Sequence, residues 1–180
     1  INNSSQPDEN VEQNKKKQVL TSDLTAKKSY FMFDDEIVCV GTDIDFTTRS
    51  TTVNTYVDNR ALFRNTTANG VTTYGTEDIR VDGVLLEETT EFSEPKSYTD
   101  PGWVHLDSFG GYYFPKGGQV YVNKTFRQAS ADGNDSNDDW NHYSLSAKVK
   151  NGAYSFFELW LSHGSKPTNG QYSYVMLPKK

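Results

Sequence analysis

Three histidines, one cysteine and three tryptophans carry most of the reactive or stacking chemistry available to this chain. His142-Tyr143 has the residue types for a general base beside a general acid. Adjacent side chains on a strand point to opposite faces, however, so the two would not meet one substrate atom, and separate structural roles are expected. His163, in Ser162-His163-Gly164-Ser165, closes a strand and is expected to fix a turn by a hydrogen bond. His105 stands between Trp103 and Leu106 and reads as a hydrogen-bonded interior histidine. Asp132, Asn134, Ser136 and Asp138 alternate oxygen donors in a glycine-containing loop, a ligand type that suits Ca²⁺. Their order is not that of an EF-hand and its closing Glu is missing, so a solvated loop competes with a metal site at Asp132, Asn134 and Asp138. Sugar stacking is the third chemistry, because aromatic rings pack on the apolar faces of pyranoses. Trp140, in a polar loop, is the leading exposed candidate, with Trp103 and Tyr112 behind it. Trp160, inside Phe156-Phe157-Glu158-Leu159-Trp160-Leu161, reads as core.

The elements that must position these groups are strands. Apolar runs at Lys28–Phe33 and Glu36–Gly41 flank Asp34-Asp35, an acidic turn signal between two hairpin arms. A third strand is expected over Thr51–Val57, with Val53, Thr55 and Val57 on one face. Asp82-Gly83 between Arg80-Val81 and Val84-Leu85 is a strong hairpin signal. Further strands are expected at Trp103–Leu106, Gly111–Phe114, Gln119–Phe126, Tyr143–Val149, Tyr154–Leu161 and Tyr172–Leu177, the fourth and fifth of these joined at Lys150-Asn151-Gly152. Glu87–Pro101 and Ala131–Asp139 read as surface insertions. Cys39, between Val38 and Val40, reads as a small buried hydrophobe. No fixed-period repeat and no helical apolar period is present. The expected fold is an all-β, large antiparallel β-sandwich over residues 21–180, preceded by a flexible polar lead-in at 1–20 that carries Lys15-Lys16-Lys17.

Charge and composition narrow the function. At 180 residues with a net charge of −6, the chain lacks the clustered Lys and Arg that a nucleic-acid partner requires. No apolar run approaches the roughly 20 residues of a membrane helix, so no membrane partner is expected. One cysteine excludes a disulfide scaffold and any Cys-rich zinc centre. Eleven Tyr, ten Phe and three Trp supply the large buried area that a polar average composition would otherwise deny the core. The start at Ile1, with no leader pattern, reads as a processed or excised piece of a longer product.

Five segments, in order, resemble one family. Leu24-Thr25-Ala26-Lys27-Lys28-Ser29-Tyr30-Phe31-Met32-Phe33-Asp34-Asp35-Glu36-Ile37-Val38 and the following Gly41-Thr42-Asp43-Ile44 are similar to a segment of polysaccharide lyase family 8. Thr52–Arg60, Trp103-Val104-His105 with Gly110–Pro115, and Phe157 through Pro178 resemble its later segments. The resemblance runs from about Leu24 to Pro178. It implies the central β-supersandwich of a secreted, extracellular or periplasmic, lyase that also has a catalytic α/α-toroid and a C-terminal β-domain. The implied reaction is β-elimination on an acidic, uronate-containing polysaccharide such as hyaluronan, chondroitin or xanthan. The family's catalytic Asn, His, Tyr and Arg belong mainly to the toroid, so the resemblance places no catalytic residue on any position here. A stand-alone carbohydrate-binding or adhesion module is the competing reading.

Overall fold

The computed structural model describes residues 23–87, 90–128 and 153–179. Among them the secondary structure is entirely strand and turn, and no helix is long and apolar enough to cross a membrane. Thirteen strands follow in order: β1 (Thr25–Met32), β2 (Ile37–Asp45), β3 (Thr52–Leu62), β4 (Thr66–Ala68), β5 (Val71–Thr73), β6 (Ile79–Val81), β7 (Val84–Leu85), β8 (Lys96–Thr99), β9 (Trp103–Leu106), β10 (Gly110–Tyr113), β11 (Gln119–Gln128), β12 (Ala153–Ser165) and β13 (Gly170–Pro178). Seven form one sheet in the order β1-β2-β13-β10-β9-β6-β7, four form a second in the order β3-β12-β11-β8, and β4-β5 is a separate hairpin. All pairings are antiparallel.

The core lies between the two larger sheets, because alternate residues along each strand share a face. Val104, Leu106, Tyr112, Tyr172 and Tyr174 enter it from the seven-stranded sheet. Leu62, Val120, Val122, Phe157, Leu159 and Leu161 enter it from the four-stranded one. Cys39 is buried among them, as its sequence setting implied. Thr55 and Val57 are buried and Val53 packs at the margin, so the expected face of β3 is the inner one.

The turns follow their residues. At the β6–β7 hairpin Asp82 and Gly83 both take positive φ (47° and 85°), the requirement of a type I′ turn. Asn69 and Gly70 (φ 52° and 78°) do the same between β4 and β5, a hairpin the sequence reading passed over despite its Asn-Gly signal. The Asp34-Asp35 turn is closed by Phe33 N donating to Glu36 O at 2.9 Å.

Three expectations change. Glu87–Pro101 is not wholly loop, since β8 lies within it and pairs with β11. β12 pairs with β11 and β3; its expected partner Tyr143–Val149 lies outside the described residues. Trp160 is not core: with Leu159 and Leu161 pointing inward, the alternation turns it to the outer face of the four-stranded sheet.

Candidate functional site

The outer face of the seven-stranded sheet holds a groove of about 550 Å³ lined by Trp103, His105, Gly111, Tyr113, Leu177 and Lys179. Its geometry comes from strand register. Trp103 pairs with Tyr113 and His105 with Gly111 across β9–β10, and Gly111 pairs with Leu177 across β10–β13. Val104, Leu106 and Tyr112 turn inward between them, which leaves this set outside. The floor is glycine for a steric reason at one position. A Cβ on Gly110, at φ 141°, would lie 2.2 Å from the carbonyl oxygen of Leu177. Trp103 is 39% exposed and Tyr113 47%, and the Trp103 ring stands edge-on to His105 with centroids 6.4 Å apart.

The apolar row continues across the sheet. Tyr113 pairs with Val175, Val175 with Val38, and Val38 with Phe31 at the edge strand. Every residue of β1 is exposed, with Tyr30 at 57%, Phe31 at 53% and Met32 at 78%. A long apolar edge with open backbone groups is a surface that folded proteins normally cover.

Of the residues proposed for sugar stacking, Trp103 is in the groove. Tyr112 is not available: it is 3% exposed and stacks on Phe157 in the core, centroids 6.1 Å apart. The sequence missed this because Tyr112 and Tyr113 are adjacent on one strand, and only the register decides which of them turns inward. The Tyr112 hydroxyl crosses between the sheets to Asp58 Oδ2 on β3, which also accepts Arg60 Nε at 2.5 Å. Arg60 in turn lies 4.6 Å from the Phe109 ring centroid. Burial, followed by the neighbouring Asp58, pushes the Tyr112 hydroxyl far above its usual pKa. Trp140, Asp132, Asn134, Asp138 and His142 lie outside the described residues. Among the described residues no group of three or more His, Cys, Asp or Glu is placed to hold a metal.

The two described histidines do not sit together. His105 is half-exposed on the outer face, not interior as expected, because β9 turns Val104 and Leu106 to the core instead. His163 makes a hydrogen bond, but to Thr55 on the neighbouring strand (Nε2 to Oγ1, 2.8 Å) rather than within its own turn. Its ring lies 6.0 Å from that of Tyr172. Burial, then the positive charge of Lys28, lowers its pKa.

Charged groups elsewhere are structural. Arg64 bridges Asp107 (2.6 Å) and Asp78 (3.3 Å), and Arg80 holds Asp78 at 3.0 Å. The hydrogen bond from Arg64 keeps the Asp107 carboxyl below its ordinary value. Glu77, 5% exposed, accepts the backbone N–H groups of Phe63 and Arg64 at 2.8 Å each. Buried Lys124 donates to Gly75 O at 2.8 Å. The contacts of Arg64, Glu77 and Lys124 hold the 63–77 segment in place, and none of these groups lines the groove.

The chain as a whole is similar to known proteins. The chain matches the model of polysaccharide lyase family 8, super-sandwich domain, over residues 9–180. It is 32% identical over 165 residues to a xanthan lyase of Bacillus sp. (strain GL1), covering 87% of this chain and 16% of that protein. It is 30% identical over 161 residues to a hyaluronate lyase of Thermasporomyces composti, covering 89% of this chain and 18% of that protein. The solved structure of Paenibacillus xanthan lyase superposes with a TM-score of 0.68 at 34% identity, over 89% of this chain and 14% of the other. The chain thus spans less than a fifth of the length of these relatives.

Proposed function

Because the chain belongs to polysaccharide lyase family 8 as its super-sandwich domain, we propose that it is the scaffold of a secreted lyase cleaving uronate-containing polysaccharides by β-elimination. On this reading the domain packs against a catalytic α/α-toroid, walls one side of its cleft and contributes no group to the proton transfers. The relatives' names, xanthan lyase and hyaluronate lyase, supply the substrate class. The observation that carries the scaffold role is the outer face of the seven-stranded sheet. The row Phe31, Val38, Val175, Tyr113 and Trp103 makes this sheet apolar on both sides. A two-sided apolar sheet is what strands look like when layers cover both faces. The groove beside Trp103 would then receive apolar side chains of the toroid.

The test is eliminase activity on hyaluronan, chondroitin sulfate and xanthan, followed at the ultraviolet absorbance of the unsaturated uronate. This chain is assayed beside the full-length protein that contains it. Activity in the full-length protein alone is expected. Tyr113→Glu in that protein should cut activity by an order of magnitude or more by placing a charge in an apolar interface. Turnover by this chain by itself, or full activity in the Tyr113→Glu protein, would sink the scaffold reading.

A further inference from the structure

The second sheet presents an outer face of a different kind. Tyr56 on β3 pairs with Trp160 on β12, Trp160 with Tyr121 on β11, and Tyr121 with Ser97 on β8. Their neighbours Thr55, Val57, Leu159, Leu161, Val120 and Val122 are buried, so the paired set faces outward. Tyr121 and Trp160 are offset-stacked, centroids 5.2 Å apart and planes within 3°. Tyr56 continues the ridge at 5.7 Å with a 33° tilt, and it is 55% exposed. The adjoining row is polar throughout: Asn54 pairs with Ser162, Ser162 with Gln119, and Gln119 with Thr99. Thr99 Oγ1 donates to Gln119 Oε1 at 3.1 Å, which leaves the Gln119 amide N–H groups for another acceptor. On the opposite flank Glu158 accepts from Asn123 (3.0 Å) and Arg127 (3.2 Å), so these two charges offset each other.

We propose that this face is a carbohydrate-binding surface for uncharged pyranose segments of a polysaccharide. Sugar C–H faces would lie on the ridge of Tyr56, Trp160 and Tyr121, while hydroxyls exchange hydrogen bonds with Asn54, Ser162 and Gln119. The chemistry selects a sugar over a protein layer by contrast with the other sheet. There the aromatic residues share their row with Val38 and Val175 and have Leu177 beside them. Here an amphipathic aromatic row is bordered by amides and hydroxyls, which a packed apolar layer would leave unpaired at a cost of about 1–3 kcal/mol each. An uncharged sugar suits the face because, among the described residues, its Arg127 is taken up by Glu158 at 3.2 Å rather than left for a carboxylate. Four strands about 4.8 Å apart give the ridge and its border roughly 14 Å, the reach of a short oligosaccharide.

The inference stands apart from the eliminase reading, since it concerns the other sheet and is measured without turnover. The full chain is run in native gels cast with a neutral β-linked glucan, with hyaluronan, or with no polymer. Retardation by the glucan is expected, weakened about tenfold or more in Trp160→Ala and in Tyr56→Ala, and unchanged in Trp103→Ala. Tyr56 is more than half exposed, so its variant reports binding even where Trp160→Ala fails to fold. No retardation of the native chain by the glucan overturns the proposal. So does retardation by hyaluronan alone, or full retardation of Tyr56→Ala.

Discussion

Replacing Tyr112 with Phe isolates a side-chain hydrogen bond that ties the two sheets together. The ring stays, with its stacking on Phe157, and only the hydroxyl that donates to Asp58 is lost. Asp58 is 9% exposed in its side chain, so water does not readily replace the missing donor. A hydrogen bond to a charged acceptor contributes about 1.5–3 kcal/mol. Arg60, at 2.5 Å, continues to satisfy the carboxylate, which places the expected loss in the lower half of that range, at about 1.5–2 kcal/mol. For a chain of this size that is a fall in Tm of roughly 3–8 °C. The measurement is urea denaturation of Tyr112→Phe, Asp58→Asn and the double variant, with the coupling read from the cycle. The pH dependence has a fixed sign. The folded hydroxyl has a raised pKa, so its stabilisation is complete below the unfolded value near 10 and declines as pH rises above it. Tyr112→Phe should therefore lose less stability than the native chain between pH 9.5 and about 11. A Tyr112→Phe chain within about 0.5 kcal/mol of the native one, with no coupling to Asp58, refutes the reasoning.

Gly41→Ala tests the packing beneath β2. A Cβ there would lie 2.0 Å from Tyr172 Cε1, and that ring is held between His163 and Tyr174, so the loss should reach about 3 kcal/mol or more at unchanged m-value. Denaturation indistinguishable from the native chain would mean that Tyr172 moves freely. His163→Gln tests the proton linkage at Thr55. His163 has a lowered folded pKa, so its contribution is present above about 6.5 and is lost as pH falls through that value. The native chain should lose stability between pH 7 and 5 more steeply than the variant; equal slopes would remove His163 as the cause.

What the sequence made legible depended on how local the signal was. The β6–β7 hairpin is written in Asp82-Gly83, because two consecutive left-handed residues need those types. The alternation in Tyr172, Tyr174 and Met176 gives the inner face of β13 directly, and their burial follows it. Tyr112 and Trp160 were misassigned for a common reason. Each stands in a run where neighbouring positions are also apolar, Tyr112-Tyr113 and Phe156–Leu161, so alternation alone leaves the phase undetermined. The phase is fixed by partners distant in sequence, Met176 for Tyr112 and Tyr56 for Trp160. β8 was hidden for a different reason: Lys96–Thr99 is short and polar except at Tyr98, and it is a strand where β11 offers it an edge. The β1 run was legible as a hairpin arm, and β1 does pair with β2, but its place at the sheet edge, which leaves every residue exposed, is set by the order of distant strands.

That contrast bears on how the two proposed surfaces divide their work. The seven-stranded sheet carries Phe31, Val38, Val175, Tyr113 and Trp103 outward, and this row, with aliphatic residues between its aromatics, gains chiefly by losing water. The four-stranded sheet carries Tyr56, Trp160 and Tyr121 outward, bordered by Asn54, Ser162 and Gln119, and these gain from a partner that has both C–H faces and hydroxyls. The two outer faces lie on opposite sides of one core built from both sheets. A toroid on the first face and a saccharide on the second would therefore not compete for space. Polymer held at Tyr56 and Trp160 would be tethered to the enzyme while leaving the cleft side free, so loss of the ridge should weaken retention on the polymer and spare turnover of short, soluble substrates. A ridge variant that lost turnover of short substrates in the full-length protein would mean instead that the two faces are coupled through the core between them.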